Sequence, residues 1–128
     1  MKRLVFFIIF SFSFSAFAED FSFEVQELDG VNIIIEKSTY QTIPLQMVSP
    51  DQPKILKIQE SGSLFVIYYF AGTAGTFNLV GHEKAVIFDS KIKRFIEKTY
   101  TTKFEGLDDQ AQPKFSVIDG KIEYILPK

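Results

Sequence analysis

Residues 63–89, SLFVIYYFAGTAGTFNLVGHEKAVIFD, decide the fold of this chain. They open on an apolar run at 64–71, cross a small glycine-spaced stretch predicted as a loop at 72–76, and close on a second apolar run at 85–88. The first run is rich in β-branched and aromatic residues and shows no polar alternation, which is typical of a strand covered on both faces. We therefore predict that residues 63–89 form the central strands of a β-sheet.

Shorter strands are predicted on both sides of this centre. Residues 21–26 alternate apolar and polar side chains, which is the period of a half-buried strand. Asp29-Gly30 and Asp119-Gly120 each lie between apolar flanks and predict hairpins, because both central residues of a type I′ turn take a positive φ. Pro44 cannot donate to a ladder, so any strand in residues 40–48 is expected at a sheet edge.

Residues 81–84 and 89–100 lie on either side of the short apolar run at 85–88, and a turn or hairpin is predicted for each. Residues 81–84, Gly-His-Glu-Lys, are predicted as a turn that precedes the buried strand at 85–88. Residues 89–100 have apolar side chains at helical spacing, but they also fit a hairpin with its turn at 89–93. We favour the hairpin because the phenylalanine, isoleucine, threonine and tyrosine of this segment prefer strands.

The complete pattern predicts an all-β fold. The chain contains about eight to ten short strand signals at close spacing, with turn residues between them. We expect an antiparallel meander that closes as a small barrel or sandwich.

The first 18 residues have the features of a secretory signal peptide. Lys2 and Arg3 form a basic start, residues 4–10 are wholly apolar, and residues 15–18 end in Ala-x-Ala, where the signal peptidase needs small side chains. The apolar part is shorter than the roughly 20 residues that span a bilayer. We predict a signal peptide at 1–18, a single β domain at 19–128, and a soluble periplasmic or secreted bacterial protein with no membrane span after cleavage.

The charge of the chain and its lack of cysteine argue against several classes of function and of stabilisation. The net charge is −2, and loss of Lys2 and Arg3 with the predicted signal peptide makes it −4. A mildly acidic exported domain without a basic stripe is a poor candidate for binding nucleic acid or anionic lipid. The chain has no cysteine, so it has no disulfide and no lipobox anchor, and apolar burial must stabilise it.

Four short motifs follow one another along the chain: 70–75 (Phe-Ala-Gly-Thr-Ala-Gly), 85–89 (Ala-Val-Ile-Phe-Asp), 93–95 (Lys-Arg-Phe) and 115–117 (Phe-Ser-Val). This order resembles a group of small, exported, uncharacterised bacterial β-proteins, in which a Gly-x-x-Gly loop precedes a V-x-x-D-x-x-x-x-K hairpin. The resemblance covers about half of the predicted mature chain. It implies the fold class and the compartment, and it implies no activity.

The sequence offers few candidates for catalytic or metal-binding residues. His82 is the only histidine and there is no cysteine, so a zinc enzyme is not expected, and we predict that His82 is an exposed turn residue. Glu105, Asp108 and Asp109 do not match the spacing of a calcium loop and are predicted as a solvated acidic loop. We therefore name no catalytic, cofactor-binding or metal-binding residue.

The glycine-spaced segment is the candidate for a partner-binding site. It lacks the Gly-Lys-Ser/Thr of a phosphate-binding P-loop, so we interpret it as a bulge or tight crossover that needs small residues. The alternative is a binding edge at which a partner approaches bare backbone. The candidate partner-binding residues are Tyr68, Tyr69, Gly72, Gly75 and Phe77, whose aromatic members form either core or an exposed apolar patch.

These observations favour a non-enzymatic binding or accessory envelope protein, for example a protein inhibitor, with an envelope or secreted protein as its partner and no cofactor. Two alternatives stay open. One is a small cell-wall or saccharide hydrolase that uses carboxylates or His82. The other is a small-ligand or lipid carrier, if the strands close around a cavity.

Overall fold

The computed structural model describes residues 20–75, 80–104 and 112–126, and all regular secondary structure in these ranges is β-strand. The strands are β1 (Phe23–Leu28), β2 (Val31–Glu36), β3 (Thr42–Pro44), β4 (Lys54–Ser61), β5 (Leu64–Ala74), β6 (Val80–Asp89), β7 (Arg94–Phe104), β8 (Lys114–Ile118) and β9 (Lys121–Ile125). The prediction of an all-β fold with about eight to ten strands is confirmed. The predicted signal peptide at 1–18 lies outside the described residues, as does the acidic segment 105–109.

The strands form three antiparallel sheets that stack in layers. Sheet A has the order β1-β2-β3, sheet B the order β4-β5-β6-β7, and sheet C consists of β8 and β9. Sheet B is the middle layer, because one face packs against sheet A and the other packs against sheet C. The sheets do not close into a barrel, so of the two predicted architectures the sandwich is the one that fits.

The central strands β5 and β6 confirm that residues 64–70 are covered on both faces. Tyr69 and Phe88 belong to the core between sheets A and B, whereas Tyr68 and Ile87 belong to the core between sheets B and C. Successive side chains of a strand point to opposite faces, so a strand that separates two cores needs apolar residues without interruption. This explains why the most apolar stretch of the described chain is also its middle layer.

Aromatic rings fill both interfaces of the sandwich. Between sheets A and B, the rings of Phe23, Phe88 and Phe95 contact one another with centroids 5.1 to 6.1 Å apart. Between sheets B and C, the rings of Tyr100 and Phe115 lie 5.1 Å apart. Rings at these distances contribute about 0.5–1.5 kcal/mol per pair beyond the burial of their surface. Aromatic side chains therefore pack both interfaces between the layers.

Local turn chemistry fixes the hairpins as predicted. Asp29 and Gly30 have φ values of 52° and 82°, and Asp119 and Gly120 have values of 50° and 78°. The strands that flank these turns pair antiparallel. Pro44 ends β3, an edge strand of sheet A, which confirms its predicted position.

The predicted hairpin at 89–100 is confirmed, whereas the prediction of a turn at 81–84 is wrong. The chain turns at residues 90–93 and returns as β7. Residues 81–84 lie inside β6, where Glu83 pairs with Phe70 and Lys84 pairs with Tyr69 on β5. Glycine, histidine, glutamate and lysine are weak strand formers, but long neighbouring strands on both sides provide ladder partners that override this preference.

Candidate functional site

Gly72 lies in a β-bulge of β5, where the chain's own loop covers it. The register of β5 against β6 shifts between Phe70 and Thr73, which confirms the bulge interpretation of the glycine segment. The predicted loop is wrong for residues 72–74, because β5 continues to Ala74. Gly72 is buried with a φ of 102°, and a Cβ atom at this position would overlap the hydroxyl of Ser49. Bare backbone is therefore needed here because a loop of the same chain approaches it closely.

Hydrogen bonds hold that loop, residues 48–51, on the bulge. The Asp51 carboxylate accepts from the Ser49 hydroxyl at 2.7 Å, the Thr73 amide at 3.0 Å and the Thr73 hydroxyl at 2.7 Å. The Val48 amide also donates to the Ala71 carbonyl at 2.8 Å. Hydrogen bonds from the Thr73 hydroxyl, the Ser49 hydroxyl and the Thr73 amide lower the pKa of Asp51. We call residues 48–51 with Gly72 and Thr73 the loop clip.

The other candidate partner-binding residues do not form one surface. Tyr69 is completely buried and its hydroxyl donates to the Gln46 carbonyl at 2.9 Å, while Tyr68 is buried on the opposite face. Of the two interpretations of the aromatic residues, core or exposed apolar patch, Tyr68 and Tyr69 therefore fit the core. Gly75 is exposed just beyond β5, and Phe77 lies outside the described residues.

His82 is half-buried within β6, so its prediction as an exposed turn residue is wrong. Its ring lies perpendicular to that of Phe104, with centroids 5.1 Å apart. Burial and the positive charge of Lys84 lower the pKa of His82, which favours the neutral imidazole. In the described part of the chain, Nδ1 of His82 has no hydrogen-bond partner, so no carboxylate there orients it as a catalytic base.

No group of His, Cys, Asp or Glu among the described residues could hold a metal ion.

An open groove of about 620 Å³ lies between the edge of sheet A and the edge of sheet B. One wall is the segment 41–46, which contains β3, and the other wall consists of Arg94, Phe95, Glu97, Lys98 and Thr99 of β7. Both β3 and β7 are the last described strands of their sheets. We call this opening the edge groove. Its volume is within the range of about 300–1,000 Å³ that is usual for ligand sites.

The β7 wall of the edge groove is shaped by a bulge. Ala85 pairs with Tyr100 and Ile87 pairs with Ile96, so the three residues 97–99 of β7 lie opposite the single residue Val86. Such bulges bend a strand and redirect its side chains, and they are frequent next to binding sites. All three bulged residues line the edge groove. Sequence reasoning missed this feature, because a bulge depends on the register of the partner strand.

The β3 wall presents backbone acceptors to the edge groove. The Leu45 amide donates to the Asn32 carbonyl, and the Gln41 carbonyl accepts from the Glu36 amide, so these residues bond toward β2. Alternate residues of an antiparallel strand direct their backbone groups to opposite sides. The carbonyls of Thr42 and Pro44 and the N–H of Thr42 therefore point away from β2, whereas Pro44 has no N–H to offer.

A buried carboxylate fixes the turn that leads into this wall. Glu36 is completely buried and accepts hydrogen bonds from Ser22, Ser38 and Thr39 at 2.6 to 3.0 Å. Burial alone would raise the pKa of Glu36, but the hydrogen bonds from Ser38, Ser22 and Thr39 outweigh it and lower the pKa to about 2. The Glu36 carboxylate is therefore ionised at neutral pH and holds residues 37–41 in place.

Positive charge is concentrated at the start of β7 and in the turn before it. Residues 91–98 contain Lys91, Lys93, Arg94 and Lys98 against the single carboxylate of Glu97, in a chain with a net charge of −2. Arg94 and Lys98 line the edge groove directly, and Nζ of Lys98 lies 5.1 Å from the Tyr100 ring centroid. The edge groove therefore combines backbone groups, mainly acceptors, on one wall with two cationic side chains and the Glu97 carboxylate on the other.

Comparison of the chain with protein-family models, with curated protein sequences and with solved structures gives no match. Among residues 20–75, 80–104 and 112–126, no helix is long and apolar enough to cross a membrane.

Proposed function

We propose that the chain is a non-enzymatic binding module that holds a segment of a partner protein in the edge groove. The observation that carries this proposal is the meeting of two sheet edges, β3 and β7, around one open cavity, where no further described strand pairs with either edge. Unpaired strand edges present backbone groups that polypeptides recognise. Export, which residues 1–18 predict, would place this partner in the envelope or outside the cell.

The composition of the edge groove supports binding over hydrolysis. A glycoside hydrolase needs two carboxyl groups roughly 5–10 Å apart, whereas Glu97 is the sole carboxylate among the described residues that line the groove. His82 does not line it either. The polar side chains that do, such as Gln41, Thr42 and Thr99, suit hydrogen bonding to a partner.

The proposal is tested by photo-crosslinking from two positions in the organism that produces the protein. p-Benzoylphenylalanine replaces Thr99 in the edge groove or, as the control, Ile118, which is 67% exposed at the end of β8. We expect a discrete crosslinked partner from position 99 that is lost when Arg94→Glu and Lys98→Glu are added. The same charge change at Lys114 and Lys121, on sheet C, should leave it intact. Equal crosslinking from both positions would contradict a site in the groove.

A further inference from the structure

We infer that the edge groove takes an extended, acidic polypeptide segment. The inference rests on the proposed function and specifies the chemistry of the partner. Its backbone N–H groups would meet the carbonyls of the β3 wall, and its carboxylates would meet Arg94 and Lys98. Three properties of the edge groove support this inference: its shape, its hydrogen-bonding groups and its charge.

The shape of the edge groove fits a polypeptide in extended conformation. Its two walls are strand segments, residues 41–46 and 94–99, and the opening runs between them. An extended chain rises about 3.3 Å per residue, as the strands on either side do. A segment of matching rise can therefore place successive residues against successive residues of the two walls.

Hydrogen bonding at the β3 wall has a direction. The Thr42 and Pro44 carbonyls face away from β2, and Pro44 cannot donate. The incoming segment must therefore supply N–H donors to these two carbonyls and an acceptor for the Thr42 N–H, which an extended polypeptide does at alternate residues. A saccharide would have to use its hydroxyl groups and would gain no match to the strand repeat.

Charge supplies the selectivity. Pro44 on β3 and the bulge at 97–99 of β7 are features that protect sheet edges from indiscriminate strand pairing. Because these features discourage pairing through the backbone alone, the groove side chains must provide the specificity for a partner. The charged side chains that line the groove are Arg94, Lys98 and Glu97, so the local field comes from a net charge of +1 in a chain whose net charge is −2. Carboxylates are the side chains that this field attracts.

Fluorescence anisotropy with the purified protein and three labelled ten-residue peptides tests the inference. The first peptide alternates glutamate with threonine, and the second alternates lysine with threonine. The third repeats the first with every second backbone nitrogen methylated, which removes N–H donors. We expect the glutamate peptide to bind, the lysine peptide not to bind, and the methylated peptide to bind more weakly.

Charge variants complete the test. Arg94→Glu with Lys98→Glu should weaken binding of the glutamate peptide by about tenfold or more, since like charges then face each other. Lys114→Glu with Lys121→Glu makes the same net change on sheet C and should leave the affinity within about twofold. Unchanged binding by the groove variant, equal binding of the lysine peptide, or absence of binding by the glutamate peptide would each overturn the inference.

The two proposals fail separately. If position 99 crosslinks to a partner in cells and the glutamate peptide does not bind, the binding module stands and its acidic ligand is wrong. If the protein self-associates without peptide and the Arg94→Glu, Lys98→Glu variant is monomeric, the groove binds a second copy of the chain, and the acidic peptide is again wrong.

Discussion

The loop clip and the edge groove both leave strand backbone open to contact from outside its own sheet. They differ in that the chain itself makes this contact only at the loop clip. At the loop clip, the bare backbone of Gly72 is covered by Ser49 of the same chain. At the edge groove, β3 and β7 border an open cavity of about 620 Å³. A glycine in a strand can thus mark an internal contact, whereas the opening available to a partner is formed by residues that the sequence does not mark as a binding site.

The largest expected effect breaks the loop clip through its glycine. In Gly72→Ala, the left-handed backbone costs about 1–2 kcal/mol, and overlap with Ser49 adds roughly 1–3 kcal/mol. We expect a loss of about 3 kcal/mol in the free energy of unfolding, measured by urea denaturation. The matched control is Gly30→Ala, since Gly30 has a φ of 82° and nothing within 4 Å of the added Cβ. An equal loss in both variants would show that contact with Ser49 is unimportant.

The next effect concerns Glu36, which holds the turn at the β3 wall. Its pKa is lowered from 4.5 to about 2, so its ionised form stabilises the folded state at neutral pH. This contribution is complete above about pH 4.5 and is lost as the pH falls toward about 2, a difference of roughly 2–3 kcal/mol. Glu36→Gln should be destabilised at pH 7 and should lose less stability than the native protein between pH 5 and pH 2. Parallel stability curves of the two proteins over that range would exclude this role.

Sequence reasoning predicted the parts of this comparison that local chemistry determines. Asp29-Gly30 specified its hairpin because the turn needs two residues with positive φ, and the apolar run at 64–70 specified a strand between two cores. The bulge at Gly72 was also foreseen, but its contact with Ser49 depends on residues 23 positions apart. The edge groove was missed, because it depends on which strands end each sheet and on the register of β7 against Ala85 and Ile87.

A smaller effect is expected from the acidic side chain of the loop clip. Asp51 is exposed and its pKa is lowered by hydrogen bonds from Thr73 and Ser49. Asp51→Asn keeps the shape but weakens these bonds, so we expect a modest decrease in melting temperature at pH 7. Asp119→Asn, in an Asp-Gly turn that also accepts asparagine, is the control and should change the melting temperature less. A larger decrease at Asp119 would contradict the importance of the clip.

The smallest effect on stability is expected in the edge groove itself. Arg94 and Lys98 are exposed, and substitutions at exposed positions usually change the free energy of unfolding by less than about 0.5 kcal/mol. Arg94→Glu with Lys98→Glu should therefore unfold like the native protein while losing partner binding. Loss of stability similar to that of Gly72→Ala would assign these residues to the fold instead of to recognition.

The most direct measurement is backbone amide NMR of the protein during titration with the alternating glutamate–threonine peptide. The account predicts chemical-shift changes along both walls of the edge groove, at residues 41–46 and 94–99, and unchanged shifts at Ser49, Gly72 and Thr73. Changes centred on the loop clip, with residues 94–99 unaffected, would contradict the claim that the open sheet edges are the binding site.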